Sequence, residues 1–169
     1  MSAAGGAGTL RRLAAATYDG LAVLAVLMVV AALSLLLTHG EAIVRARVGA
    51  FEYLYRACLA LCVVAYFGYA WTRRGQTLGM KAWGIRLERR AGGLLRWPDA
   101  LLRLAVAAPL YLLAIAGVAL LIARHGSWLI VLGCAAPLAL SFAWHAATGR
   151  GTLHDLASRT RIVRVTPGG

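Results

Sequence analysis

The sequence predicts an all-α fold, a polytopic membrane protein with four transmembrane helices and a small cytoplasmic β-hairpin element. Three observations carry that prediction. Of 169 residues, 61% are hydrophobic and only 14% charged, against about 25% charged in an average soluble domain. Four apolar runs recur along the chain, each long enough to cross a hydrocarbon layer about 30 Å thick at about 1.5 Å per helical residue. Lys and Arg collect in alternate connections between those runs, the asymmetry that sets orientation in a membrane.

Residues 1–9 (MSAAGGAGT) have little to bury and are expected to form a disordered tail. Residues 10–165 form one membrane domain, and 166–169 a short C-terminal tail. The first helix is expected over about 13–37, where 18 uncharged residues run from Gly20 to Leu37. That run exceeds the roughly 7–15 residue core of a secretory signal, so the helix is expected to stay uncleaved. The second, about 51–71, opens with Glu52 and Arg56, spaced i to i+4 with the acid first, which favours a local ion pair. The third and fourth, about 101–123 and 127–148, contain Pro109 and Pro137, where kinks are expected. Arg124, His125 and Gly126 join them, which requires a tight antiparallel hairpin.

Two finer patterns accompany the spans. Ala135, Ala139, Ala143 and Ala147 form a stripe of small residues, either a close helix contact or the chance periodicity of an Ala-rich helix. Tyr18, Trp71, Trp97, Trp128 and Trp144 fall near helix ends, as interfacial aromatic belts do. In the connection 72–100, alternation over Ile85, Arg86, Leu87 and Glu88, followed by Gly92-Gly93, signals a hairpin, and Arg161–Val165 is a second strand-like stretch able to pair with it.

The formal net charge is +12, from 18 Lys and Arg against 6 acids. In a soluble protein such an excess points to nucleic acid. Here thirteen of the basic residues lie in the N-terminal segment, the connection 72–100 and the C-terminal segment, and only Arg45, Arg47 and Arg124 fall in the opposite connections. Both termini and the middle connection are therefore expected in the cytoplasm, with the chain multi-pass in the cell (inner) membrane. The basic face is expected to meet anionic lipid head groups, and no nucleic-acid partner is expected. Cys58, Cys62 and Cys134 make an odd count without CxxC spacing, so no disulfide framework or zinc knuckle is expected. No Ser/His/Asp arrangement, metal-ligand spacing or nucleotide loop stands out, and neither an enzyme nor a cofactor is expected.

Ionisable groups at membrane depth are costly, so each needs a partner, a watery cavity or a task. Arg12 and Asp19 are two turns apart on one face of the first helix. Arg103 enters the third helix from the same side, His145 ends the fourth there, and His154 and Asp155 follow. Two readings stand side by side. In one, Arg12 or Arg103 neutralises Asp19 and Asp155 as a structural clamp. In the other, the arginine-held acids form an ion or proton site that exchanges its counter-ion, with His145 or His154 as further titratable members.

These residues resemble the RDD family of small, mainly bacterial integral membrane proteins, over about Leu10 to Val165. Arg11-Arg12-Leu13-Ala14 with Tyr18-Asp19 is similar to the family's opening motif. Gly75-Gln76-Thr77-Leu78-Gly79-Met80-Lys81 with Gly84-Ile85-Arg86-Leu87 is similar to its central loop motif, and Arg103 falls where a basic residue begins the next helix. Leu153-His154-Asp155-Leu156-Ala157 with Thr160 and Ile162-Val163 is similar to its closing motif. Met80, between Gly79 and Lys81, departs from the family's usual pattern. The resemblance implies Arg12, Asp19 and Asp155 as the arginine and two aspartates of the name. It also implies a transport role, with sodium/proton exchange suggested for some members. The expected function is transport of a cation or small solute, with or without proton coupling, by a homo-oligomer, because four helices make a thin wall for a pathway. The alternative is a non-transporting accessory or scaffold protein that binds anionic lipid or a partner subunit.

Overall fold

The computed structural model describes residues 8–38, 50–123 and 126–165. Most of the expected N-terminal tail, the tail 166–169, the connection with Arg45 and Arg47, and Arg124 and His125 of the expected tight hairpin lie outside the described residues. Four helices are long and apolar enough to cross a membrane: Thr9–Leu37, Glu52–Arg74, Trp97–Ile122 and Trp128–Thr148. With a small two-stranded sheet at one end, they make a mostly helical, multi-pass membrane protein.

Helix α1, Thr9–Leu37, buries only Arg12, Ala15 and Asp19. Those residues lie at i, i+3 and i+7, one stripe of a helix. Its leucines face outward, Leu21, Leu24 and Leu36 among them. That arrangement inverts a soluble helix, and it is stable because lipid tails are as apolar as leucine, leaving the polar stripe to seek protein. Helix α2, Ala50–Tyr69, continues through a π-helical turn, Ala70–Arg74, and stops at Gly75, whose φ of +67° is a left-handed conformation that glycine adopts freely. The Glu52–Arg56 pair forms as its spacing predicts.

Helix α3 is a five-residue turn, Leu78–Ala82, capped by Thr77, whose hydroxyl accepts from the Met80 amide at 3.2 Å. Met80, the departure from the loop pattern, is buried among the core residues. Strand β1, Ile85–Arg89, buries Ile85 and Leu87 and turns Arg86 out, the alternation its sequence shows. The chain does turn at Gly92 and Gly93, with the Gly92 amide on the Arg89 carbonyl at 2.9 Å. The residues that return from this turn form no strand, however; Leu95 drops into the core instead. The partner of β1 is β2, Thr160–Arg164, antiparallel, with Leu87 opposite Ile162 and Glu88 opposite Arg161. The sheet thus joins the middle connection to the C-terminal segment, and the Gly-Gly turn closes no local hairpin.

Helix α4, Trp97–Ile122, starts four residues before the expected 101 because Pro98 fits a first turn, where no amide donor is required, and Asp99 accepts from the Arg96 amide at 3.3 Å. Helices α4 and α5, Trp128–Thr148, stay helical across Pro109 and Pro137. They pack closely at Gly117, where an added Cβ would lie 2.7 Å from the Cβ of Cys134. The Ala stripe does not make that contact: Ala139, Ala143 and Ala147 are exposed. After α5 come the short helix α6, Leu153–Ala157, and β2. A compact apolar cluster of Ala15, Trp71, Met80, Ile85, Leu87, Leu95, Ala100 and Ile162 ties α1, α2, α4 and the sheet together at this end. Trp71 belongs to that cluster at 5% exposure and is not part of an interfacial belt.

Candidate functional site

The polar residues of four elements converge directly beside this core. Arg12 comes from α1, Arg103 from the first turns of α4, Asp155 from α6 and Thr160 from β2. Arg12, Arg103, Asp155 and Thr160 are all buried, and Asp155 has no exposed surface at all. Both guanidiniums converge on the one carboxylate. Arg12 Nη1 pairs with Asp155 Oδ2, and Arg103 Nη1 lies 2.5 Å from Oδ1. Arg103 Nη1 also donates to Thr160 Oγ1 at 2.7 Å, and its guanidinium stacks 5.4 Å from the centroid of Trp71.

Local sequence explains why Asp155 is so firmly placed. It is the third residue of α6, and its Oδ2 accepts from the Thr152 amide at 3.1 Å, while Thr152 caps the helix in return. Gly151, at φ +103°, leaves the room: a Cβ there would lie 3.0 Å from that of Asp155. Ser158 bridges the His154 carbonyl at 2.6 Å and Thr160 Oγ1 at 2.9 Å, completing the polar shell. Burial pushes the Asp155 carboxyl up, but the Arg103 and Arg12 guanidiniums outweigh it and hold the acid well below the usual carboxylate range. His154 is buried beside this cluster, 3.9 Å from Asp155, with Nε2 2.9 Å from Thr152 Oγ1. Burial, aided by the positive Arg103, lowers its pKa to about 3, so His154 is neutral at physiological pH and makes no ion pair.

Asp19 is held in a different manner. Thr77 Oγ1 donates to Oδ2 at 2.5 Å, and Oδ1 accepts from the Gly79 amide at 2.9 Å and the Tyr66 hydroxyl at 3.1 Å. No salt bridge reaches Asp19 among the described residues. The two acids expected to share an arginine are therefore separated by role: Asp155 takes both arginines, and Asp19 takes only neutral donors. The close approach of α3 to α1 makes this possible. Gly79 lies so near the Ala15 carbonyl that any Cβ would overlap it, which brings the Gly79 amide within reach of a carboxylate one turn further along α1.

The loop motif Gly75, Gln76, Thr77, Gly79 and Lys81 has its own distribution of roles. Gly75 turns the chain and accepts from the Leu87 amide at 2.7 Å, and Gln76 donates to the Ile85 carbonyl at 2.8 Å. Both fasten the loop to β1, whereas Thr77 and Gly79 face Asp19. Lys81 is exposed. His145 is buried near the end of α5. Tyr66, Trp71 and Thr160 contribute to the site although the sequence reading assigned them no part in it; a tyrosine hydroxyl in the middle of an apolar span is the signal that could have found the first.

An open groove of about 640 Å³ adjoins Asp19, lined by Ala65, Tyr66 and Tyr69 from α2, Ala70 and Arg74 from the π turn, and Gln76, Thr77, Leu78 and Lys81. Tyr66 and Thr77 are thus both wall residues and Asp19 ligands. The sequence profile of the RDD family matches residues 6–159, which include every residue of both polar clusters except Thr160. No curated protein and no solved structure matches the chain.

Proposed function

Because the chain belongs to the RDD family, we propose that this multi-pass membrane protein transports a cation or small solute and that Asp19 is its exchangeable acid. One observation carries the reading: Asp19 is a buried carboxylate whose partners among the described residues are all neutral donors. A carboxylate held this way takes its counter-charge from outside the protein fold, as a proton or a cation competing for the same oxygens. Asp155, bound by two arginines, has no such freedom, since displacing either arginine would leave a buried charge unpaired. Asp155 is the anchor of the clamp. The shared use of Tyr66 and Thr77 by Asp19 and the groove supports a route to the acid from the membrane edge.

Thirteen of the eighteen basic residues support an orientation with both termini, the sheet and the two clusters at the cytoplasmic side of a cell membrane. A second copy of the chain would complete the wall of a pathway that four helices enclose thinly. The test is flux on purified protein in proteoliposomes, against Na⁺, K⁺ and an imposed pH gradient. Asp19→Asn should reduce flux at least about tenfold while the protein elutes as a folded species. Undiminished flux in Asp19→Asn rejects the assignment, and absence of wild-type flux across the panel favours the accessory-protein alternative.

A further inference from the structure

We propose that the groove between α2 and α3 is a binding site for one anionic glycerophospholipid, its phosphate held by Arg74 and Lys81 and an acyl chain laid along Ala65, Tyr69 and Leu78. The inference rests on charge complementarity and on the level of the groove in the membrane. Arg74 is the last residue of the second span, so its guanidinium sits where a span ends and head groups begin. Ala65 lies nine residues earlier on that span, about 13 Å deeper at the usual helical rise. Arg74 therefore marks the shallow end of the groove and Ala65 the deep end, the polarity of a phospholipid, and Lys81 adds a second positive charge to the same lining. Tyr69 and Leu78, 56% and 63% exposed, face outward from the bundle, so the groove opens to lipid.

Among the described residues, the two cations have no acidic partner. Of the six acids, Glu41 lies outside the described residues. Each of the other five is engaged elsewhere: Asp19 by neutral donors, Glu52 by Arg56, Glu88 by Arg161, Asp99 by Arg89, and Asp155 by Arg12 and Arg103. Among the described residues, neither Arg74 nor Lys81 makes a salt bridge. Two cations beside an apolar trough, in a protein whose solvent at that depth is lipid, select an anionic amphiphile.

Native mass spectrometry of the protein exchanged from mixed micelles of phosphatidylglycerol and phosphatidylcholine with identical chains tests this directly. Wild type should retain phosphatidylglycerol preferentially. Arg74→Gln with Lys81→Gln should weaken that retention roughly 25-fold, about fivefold per charge. Arg73→Gln with Arg150→Gln, which removes two exposed charges outside the groove, should leave it within about twofold. Leu78→Trp should fill the trough and reduce retention with both cations intact, and its exposed position makes it compatible with folding. Equal losses from the two double variants would reduce the effect to general surface charge and overturn the site. Displacement of the lipid by inorganic phosphate alone would overturn the lipid assignment. Asp19→Asn should leave retention unchanged whatever it does to flux, which keeps this result separate from the transport reading.

Discussion

Arg103 and Asp155, 52 residues apart in the chain, meet at 2.5 Å in the interior, and Arg12 closes on the same carboxylate from the opposite oxygen. One acid thus fastens α1, α4 and α6 together. A buried charge pair adds little net stability over an apolar substitute, but breaking it by removing one partner is costly because the other charge stays behind.

The variants of this cluster should therefore rank by the charge they strand. Asp155→Asn leaves two buried guanidiniums without an acid and should cost about 3–5 kcal/mol. Arg12→Gln leaves a neutral Arg103–Asp155 pair and should cost less, about 1–3 kcal/mol. Unfolding by sodium dodecyl sulfate titration measures both, and an Arg12→Gln loss equal to that of Asp155→Asn would contradict the ranking.

Gly79→Ala should be disruptive although alanine is small. The new methyl would overlap the Ala15 carbonyl, forcing α3 off α1 and lengthening the Gly79 amide bond to Asp19. A loss of about 1–3 kcal/mol is expected from overpacking, and flux should fall with it. Gly20→Ala, where an added Cβ meets nothing within 4 Å, serves as the control and should leave both unchanged.

Stability should decline on acidification because of His154. An unfolded chain protonates this histidine near 6.5, whereas the folded protein resists until about 3. Between those values the unfolded state binds the extra proton, so the stabilisation present above about 6.5 is lost as pH falls, at up to about 1.4 kcal/mol per unit. Asp155, held below its ordinary value of 3.8, contributes stability that is present above that value and lost further into acid. His154→Gln should flatten the dependence between pH 6.5 and 4 in unfolding titrations; an unchanged slope would place the proton elsewhere.

Thr77 joins two functions through one hydroxyl, donating to Asp19 and accepting from the Met80 amide. Thr77→Val keeps the shape and removes both bonds, with an expected cost of about 1–2 kcal/mol and reduced flux. Thr77→Ser should restore both. Failure of serine to rescue would show that the methyl group, not the hydroxyl, is what the position requires.

The four spans, the isolated Glu52–Arg56 pair and the inward alternation of β1 were legible in the sequence. Each depends on local periodicity or on the mismatch between a charge and the solvent around it, and neither needs knowledge of distant contacts. Arg12, Asp19, Arg103 and Asp155 could be assigned to one end of the bundle for the same reason, since loop charge orders the ends of spans. Which base meets which acid could not. That choice was made by the approach of Gly79 to Ala15, which gives Asp19 a neutral cradle, and by the Thr152 cap, which holds Asp155 where both arginines reach it. The sequence also left open whether β1 pairs with its own return segment or with the C-terminal strand, and only the tertiary structure chose β2, because Leu95 is committed to the core. Local composition determined what crosses the membrane; long-range packing decided how its few charges are satisfied, because a buried charge is settled by whichever partner the whole fold brings within bonding distance.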